Sequence, residues 1–258
     1  MQQKINFKKI PWMPLLDVLA ISAWGILMLK YWLTGKLNLL IHPDYQWLVI
    51  LAGFSFLCIG ISKGLEIYKI YQKHQLYQLT PQVMHFTLFP PGWSSTLLLI
   101  IAIIGIIIKP QVFTSQTALQ LGVSDVIGMT RSQPQSFRSA KPPEQRSLLE
   151  WVRTLHAYPD PDRYTGQKVK VQGFVIHTPT LSDEYMLISR FVITCCAADA
   201  YPVGLTVKLP QSRNNFKPDT WLEIEGNMIT ENLQNKRQLV ILATNFKPIE
   251  QPENPYEY

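Results

Sequence analysis

Cysteine is scarce in this chain of 258 residues: there are three, two of them adjacent. So few exclude a disulfide scaffold, and without a Cys-x-x-Cys spacing there is no thioredoxin-like motif. Phosphate-cradling loops of the form GxxxxGKS/T or GxGxxG are missing, as are the HExxH metalloprotease helix and the GxSxG nucleophile elbow. Known signatures of nucleotide use and of those hydrolases are therefore absent, and no enzymatic activity is expected. No internal repeat is evident, and charged residues make up only 16% of the chain.

What is present is unevenly distributed. The mean hydropathy of +0.04 averages two unlike halves. Residues 1–109 hold nine lysines against three acids (Asp17, Asp44, Glu66), whereas residues 110–258 hold fifteen charges of each sign. The net charge of +6 thus belongs to the N-terminal half, where lysines flanking apolar runs face anionic headgroups. Membrane lipid, and not nucleic acid, is the partner this charge predicts.

Three apolar runs predict transmembrane helices at about 15–33, 45–61 and 92–108 within a membrane domain of residues 1–109. Each is near the minimum of about 17 residues needed to cross a ~30 Å hydrocarbon core. The first is longer than a signal-peptide core, and no small-x-small cleavage site follows before Lys36. Lys4, Lys8 and Lys9 must share a side with Lys63, Lys69 and Lys73. Three spans allow this if the N-terminus is cytoplasmic, which puts the C-terminal part outside. The segment 63–79 is expected to prolong the second span as an interfacial helix. Asp17, His42 and Asp44 are candidates for an ion route, although Asp17 lies near a span end and His42-Pro43-Asp44 reads as a loop. His74, His85 and His156 give no constellation.

Residues 110–143, rich in Ser, Thr, Gln and Pro, read as a linker. A helix over 144–156 then places Leu148, Leu149, Val152 and Leu155 on one face. Beyond Gly166 the apolar period changes from helical to alternating, predicting strands at 168–177, 185–194, 203–209, 221–230 and 238–246. The expected class is α+β: three transmembrane helices followed by a small five-stranded OB-like β-barrel with a leading helix (144–250) and a tail at 251–258. A sandwich uses the same spacing.

The densest chemical candidate is RFVITCCAADAYPVG, residues 190–204. Thiolates and a carboxylate at Cys195, Cys196 and Asp199 suit zinc or copper(I), with His177 a further ligand if the barrel brings it near. The bland alternative makes the cysteines packing residues and Asp199 a turn cap; a third is thiol exchange. If Cys195 and Cys196 lie in a strand, they point to opposite faces, and an ordinary disulfide is not expected. The aromatic residues Tyr185, Phe191, Trp221 and Phe246 fit a core as well as a stacking surface, and the charge balance of this half argues against nucleic acid.

On RFVITCCAADAYPVG, on Tyr164-Thr165-Gly166-Gln167 leading into VKVQGFV, and on the WLEIEG strand at 221–226, the sequence resembles the YcgQ-type family of bacterial membrane proteins. The resemblance implies an accessory subunit in the bacterial inner membrane, working beside a separate multi-span permease and linked to metal, notably zinc, homeostasis. It carries a metal role onto Cys195, Cys196 and Asp199. Three short spans with few buried charges make a poor autonomous pore, so a permease partner or a homo-oligomer is implied. The alternative is a membrane-anchored binding or scaffold module without transport activity, and a thiol-dependent enzyme is the third reading.

Overall fold

A computed structural model describes residues 12–72, 92–123 and 141–258. The chain divides into two compact units, Met1–Pro110 and Gln111–Tyr258. His74, His85 and positions 124–140 of the expected linker lie outside the described residues.

In the first unit, helices α1 (Trp12–Leu33) and α2 (Gln46–Gln72) are long and apolar enough to cross a membrane. Only 17% and 11% of their most apolar windows are buried within the protein. The core helix of a water-soluble domain would be mostly covered, and these helices are not. The expected interfacial segment is continuous with α2 as far as Gln72.

The third expected span corrects to something shorter. Helix α3 is Trp93–Ile107, 15 residues, or about 22 Å at 1.5 Å per residue, so among the described residues two helices and not three reach crossing length. Gly92 precedes it with φ 84° and Ile108 is extended, which trims both ends of the apolar run. Both termini of α3 are met by α1. Ser95 donates to the Asp17 carboxylate, while Lys30 Nζ and Tyr31 Oη donate to the carbonyls of Ile106 and Gly105, each at 2.5 Å. A carboxylate near the N-terminus of α3 and an ammonium near its C-terminus both complement the helix dipole. The two charges inside the first apolar run thus have a packing reason, and the contacts make α1 and α3 parallel. His42 caps the turn at Pro43–Tyr45, its Nδ1 accepting the Asp44 N–H at 3.2 Å.

The second unit is a six-stranded sheet with helices α4 (Ser115–Gln120) and α5 (Leu148–Ala157). The strands are β1 (Lys168–Ile176), β2 (Tyr185–Val192), β3 (Tyr201–Lys208), β4 (Trp221–Leu233), β5 (Lys236–Pro248) and β6 (Tyr256–Glu257). Their order is β1-β4-β5-β3-β2-β6, and β1 also pairs with β2. The β3–β5 and β2–β6 pairings are parallel and the others antiparallel. Strands β1 to β5 therefore form a closed circuit of pairings.

Closure is made at β1, which follows β4 up to Phe174 and pairs with β2 from Phe174 to Ile176. The residue before the change is Gly173, where an added Cβ would collide with the carbonyl oxygen of Ser189. The interior is apolar, with Val171, Ile188, Val207, Leu222, Ile224 and Ile241 in the core. The face of α5 bearing Leu148, Leu149, Trp151 and Val152 packs into it.

Five strands and a tail are corrected to six strands. Residues 256–257 pair with β2 at Phe191 and Val192, and Tyr256 and Glu257 are buried. Glu257 Oε2 accepts from Ser147 Oγ (2.6 Å) and from the Leu149 N–H (2.9 Å) at the start of α5. Its Oε1 faces the Arg190 guanidinium at 3.4 Å, and Arg190 also donates to the carbonyl of Asn254 at 3.0 Å. Removing one partner of such a buried pair leaves a charge uncompensated. Glu257→Ala is expected to destabilise the protein by about 3 kcal/mol, read as a lowered unfolding midpoint of the purified full chain. An unchanged midpoint would show that this joint carries no stability.

Candidate functional site

The apolar run of β2 ends at Val192. Ile193 is still buried, with its N–H donating to the carbonyl of Glu257 at 3.1 Å, but the chain then bends. Thr194 and Cys195 form that bend, Ala197–Asp199 make one turn of 3₁₀ helix, and β3 begins at Tyr201. The register pairs Val192 with Tyr201, so the cysteines sit on the loop between two adjacent strands.

One carboxylate organises this loop. Asp199 Oδ2 accepts the N–H of Cys195 at 2.8 Å, and Oδ1 accepts those of Thr194 (3.2 Å) and Cys196 (3.4 Å). In return the Asp199 N–H points at the Cys196 sulfur, giving a capping box in which cysteine takes the usual place of serine or threonine. The alternation of a strand, which would send neighbouring side chains to opposite faces, does not apply in a bend. The Cys195 and Cys196 sulfurs are 3.7 Å apart. Cys195 is exposed and Cys196 half-buried.

The electrostatics follow from the same carboxylate. A hydrogen bond to Asp199, then one to Cys196, pushes the Cys195 thiol up to about 11, because the negative neighbour opposes a second negative charge. Burial pushes Asp199 up, but the Cys195 thiol and the three backbone N–H groups outweigh it and hold the carboxyl below its usual range. The sign for stability is direct. A depressed carboxyl stabilises the loop above its unfolded value and loses that contribution as pH falls through the folded value.

Cys195, Cys196 and Asp199 are brought together, and His177 is not. Ile176 pairs with Leu187 near the start of β2, five residues, or about 17 Å of strand, before Val192, and Cys195 lies beyond that. His177 Nε2 is buried and has no hydrogen-bond partner among the described residues. Among the described residues, no group of three or more His, Cys, Asp or Glu side chains could hold a metal ion. With its oxygens taken by the turn, Asp199 leaves two sulfurs as the available donors. The turn-capping role open to Asp199 in the sequence is the one it takes, three residues after Cys196 at the spacing of a capping box. Sequence reasoning missed Glu257, for which no sequence signal exists.

The chain is α+β, with apolar N-terminal helices and a C-terminal sheet domain that carries the cysteine loop. Residues 144–258 match the DUF1980 C-terminal domain, and through that domain the chain is similar to the YcgQ-type proteins. UPF0703 protein YcgQ of Bacillus subtilis (strain 168) is 27% identical over 113 residues, covering 43% of this chain and 39% of that protein. The chain thus matches about two-fifths of that relative's length. No solved structure matches.

If Asp199 keeps the proton on Cys195, Asp199→Asn should raise the rate of Cys195 alkylation by iodoacetamide at about pH 8 roughly tenfold, since the thiolate is the nucleophile. Peptide mass spectrometry resolves the two cysteines. An unchanged rate would remove Asp199 from control of the thiol.

Proposed function

We propose that the protein is an accessory subunit of a membrane permease, whose exterior domain presents the Cys195–Cys196 pair to a thiophilic metal ion. The observation that carries this reading is the 3.7 Å separation of two accessible sulfurs. Two Zn–S bonds of about 2.3 Å at a tetrahedral angle span about 3.8 Å, so both thiolates can bind one zinc ion without rearrangement; copper(I) is the other chemical candidate. Two donors leave the coordination incomplete. Such a site suits capture and transfer, with the remaining ligands supplied by water or by a partner, rather than permanent structural binding.

The closed circuit β1-β2-β3-β5-β4-β1, with β3 and β5 parallel, supports an OB-like barrel. Placement of this domain outside the cytoplasm is supported by α1 and α3. They run parallel, so an α1 that starts on the cytoplasmic side lets α3 finish on the other. The short α3 is accommodated by local thinning of the bilayer. The lysines of the N-terminal segment and of the end of α2 then share the cytoplasmic face. The use of both Asp199 oxygens by backbone favours the second reading, a membrane-tethered binding or scaffold module in which the loop is structural.

Two measurements separate these. Purified, reduced full-length protein should bind about one zinc or copper(I) ion, and Cys195→Ser/Cys196→Ser should lower the affinity roughly tenfold or more. Affinity should increase as pH rises, because binding displaces the Cys195 proton. Equal, weak binding by both proteins would leave the scaffold reading. In a Cys58→Ser background, a membrane-impermeant maleimide should label Cys195 in intact cells, whereas labelling only after lysis would place the domain on the cytoplasmic side.

A further inference from the structure

A thiol pair this close has a second chemistry open to it. An ordinary disulfide needs sulfurs about 2.05 Å apart, and Cys195 and Cys196 start at 3.7 Å. Closing the remaining gap of roughly 1.7 Å takes side-chain rotation together with local adjustment of the bend. The bend has already turned both sulfurs to one side. The flanks of the loop are held independently, by the β2–β3 ladder and by the Ile193–Glu257 backbone bond, so closure is absorbed between Thr194 and Asp199. We infer that Cys195 and Cys196 form a reversible vicinal disulfide, which makes this loop a redox switch. Its effect on ion capture rests on the function proposed above; formation of the bond does not.

The step is thiol–disulfide exchange with an external disulfide, either a small molecule such as oxidised glutathione or a protein oxidant. The Cys196 sulfur attacks the external disulfide, forming a mixed disulfide and releasing one thiol. Cys195 then attacks the Cys196 sulfur. Its proton passes to the adjacent Asp199 carboxylate and on to solvent, the Cys195–Cys196 bond forms, and the second external thiol leaves. Two protein thiols are oxidised by two electrons, and one external disulfide is reduced to two thiols. Adjacent Cα atoms are about 3.8 Å apart across a trans peptide, less than the 4.4 Å lower bound of ordinary disulfides. The bond is therefore strained and exposed, the combination that makes a disulfide labile. In the oxidised state neither sulfur is available as a thiolate ligand.

The test uses the full-length Cys58→Ser protein in detergent, equilibrated with oxidised glutathione, then acid-quenched, alkylated and digested. The peptide carrying Cys195 and Cys196 should be two hydrogens lighter and unalkylated, and should regain both alkyl groups after dithiothreitol. Cys195→Ser should stop at a glutathione adduct on Cys196. Wild-type protein that accumulates a persistent adduct, or that keeps both thiols alkylatable, overturns the switch. Zinc and copper(I) binding measured on the reduced sample keeps the two ideas apart. A disulfide without ion binding supports the switch and sinks the capture reading, whereas ion binding without a disulfide does the reverse.

Discussion

A single buried carboxylate ties the C-terminal domain together. Glu257 meets the first turn of α5 through Ser147 and Leu149, meets β2 through Arg190, and takes the Ile193 N–H on its own carbonyl. These partners come from two segments, residues 147–149 and 190–193, both far from residue 257 in sequence. Burial lowers the Arg190 pKa and Glu257 opposes that, so the pair is stable only as a pair. The end of β2 is held from one side by β3 and from the other by residues 256–257. The cysteine loop begins two residues later. The position of the sulfurs is thus set by a contact more than fifty residues away along the chain.

The first unit follows the same rule that charges in apolar surroundings need a stated partner. Asp17 and Lys30 look misplaced in the run 15–33 until α3 is set beside α1. One then lies at the hydroxyl of Ser95 near the start of α3, and the other at a carbonyl near its end. Small residues bring the helices close: Gly25 lies against the backbone of Gly53, and Gly105 against Leu27. The parallel course of α1 and α3 follows from these contacts, and it matters more for sidedness than the length of α3 does.

How much was legible in the sequence differs by element. The five long strands were, because alternation such as that of Lys168-Val169-Lys170-Val171 records one buried face, and observed boundaries differ by two or three residues at most. Helix α5 was, through its apolar face. β6 was not, since two residues have no period and a glutamate at 257 reads as solvent-facing until Arg190 is placed against it. The β4–β5 hairpin turns at Gln234-Asn235, both with positive φ, without the glycine that usually marks such a turn. The length of α3 was overread because apolar residues at a cap still count as apolar.

The cysteine loop was half legible. Residue types pointed to Cys195, Cys196 and Asp199, and their proximity is real. The inference that neighbouring cysteines diverge rested on a strand continuing to Thr194, and β2 stops at Val192. What stops it is the competition for backbone donors: once Asp199 accepts the N–H groups of residues 194–196, those groups are no longer free for a ladder. The carboxylate that breaks the strand is therefore the one that brings the sulfurs together and the one that holds the proton on Cys195. Fold and reactivity at this loop share a cause. Any chemistry here must draw its thiolates against the charge that built the site.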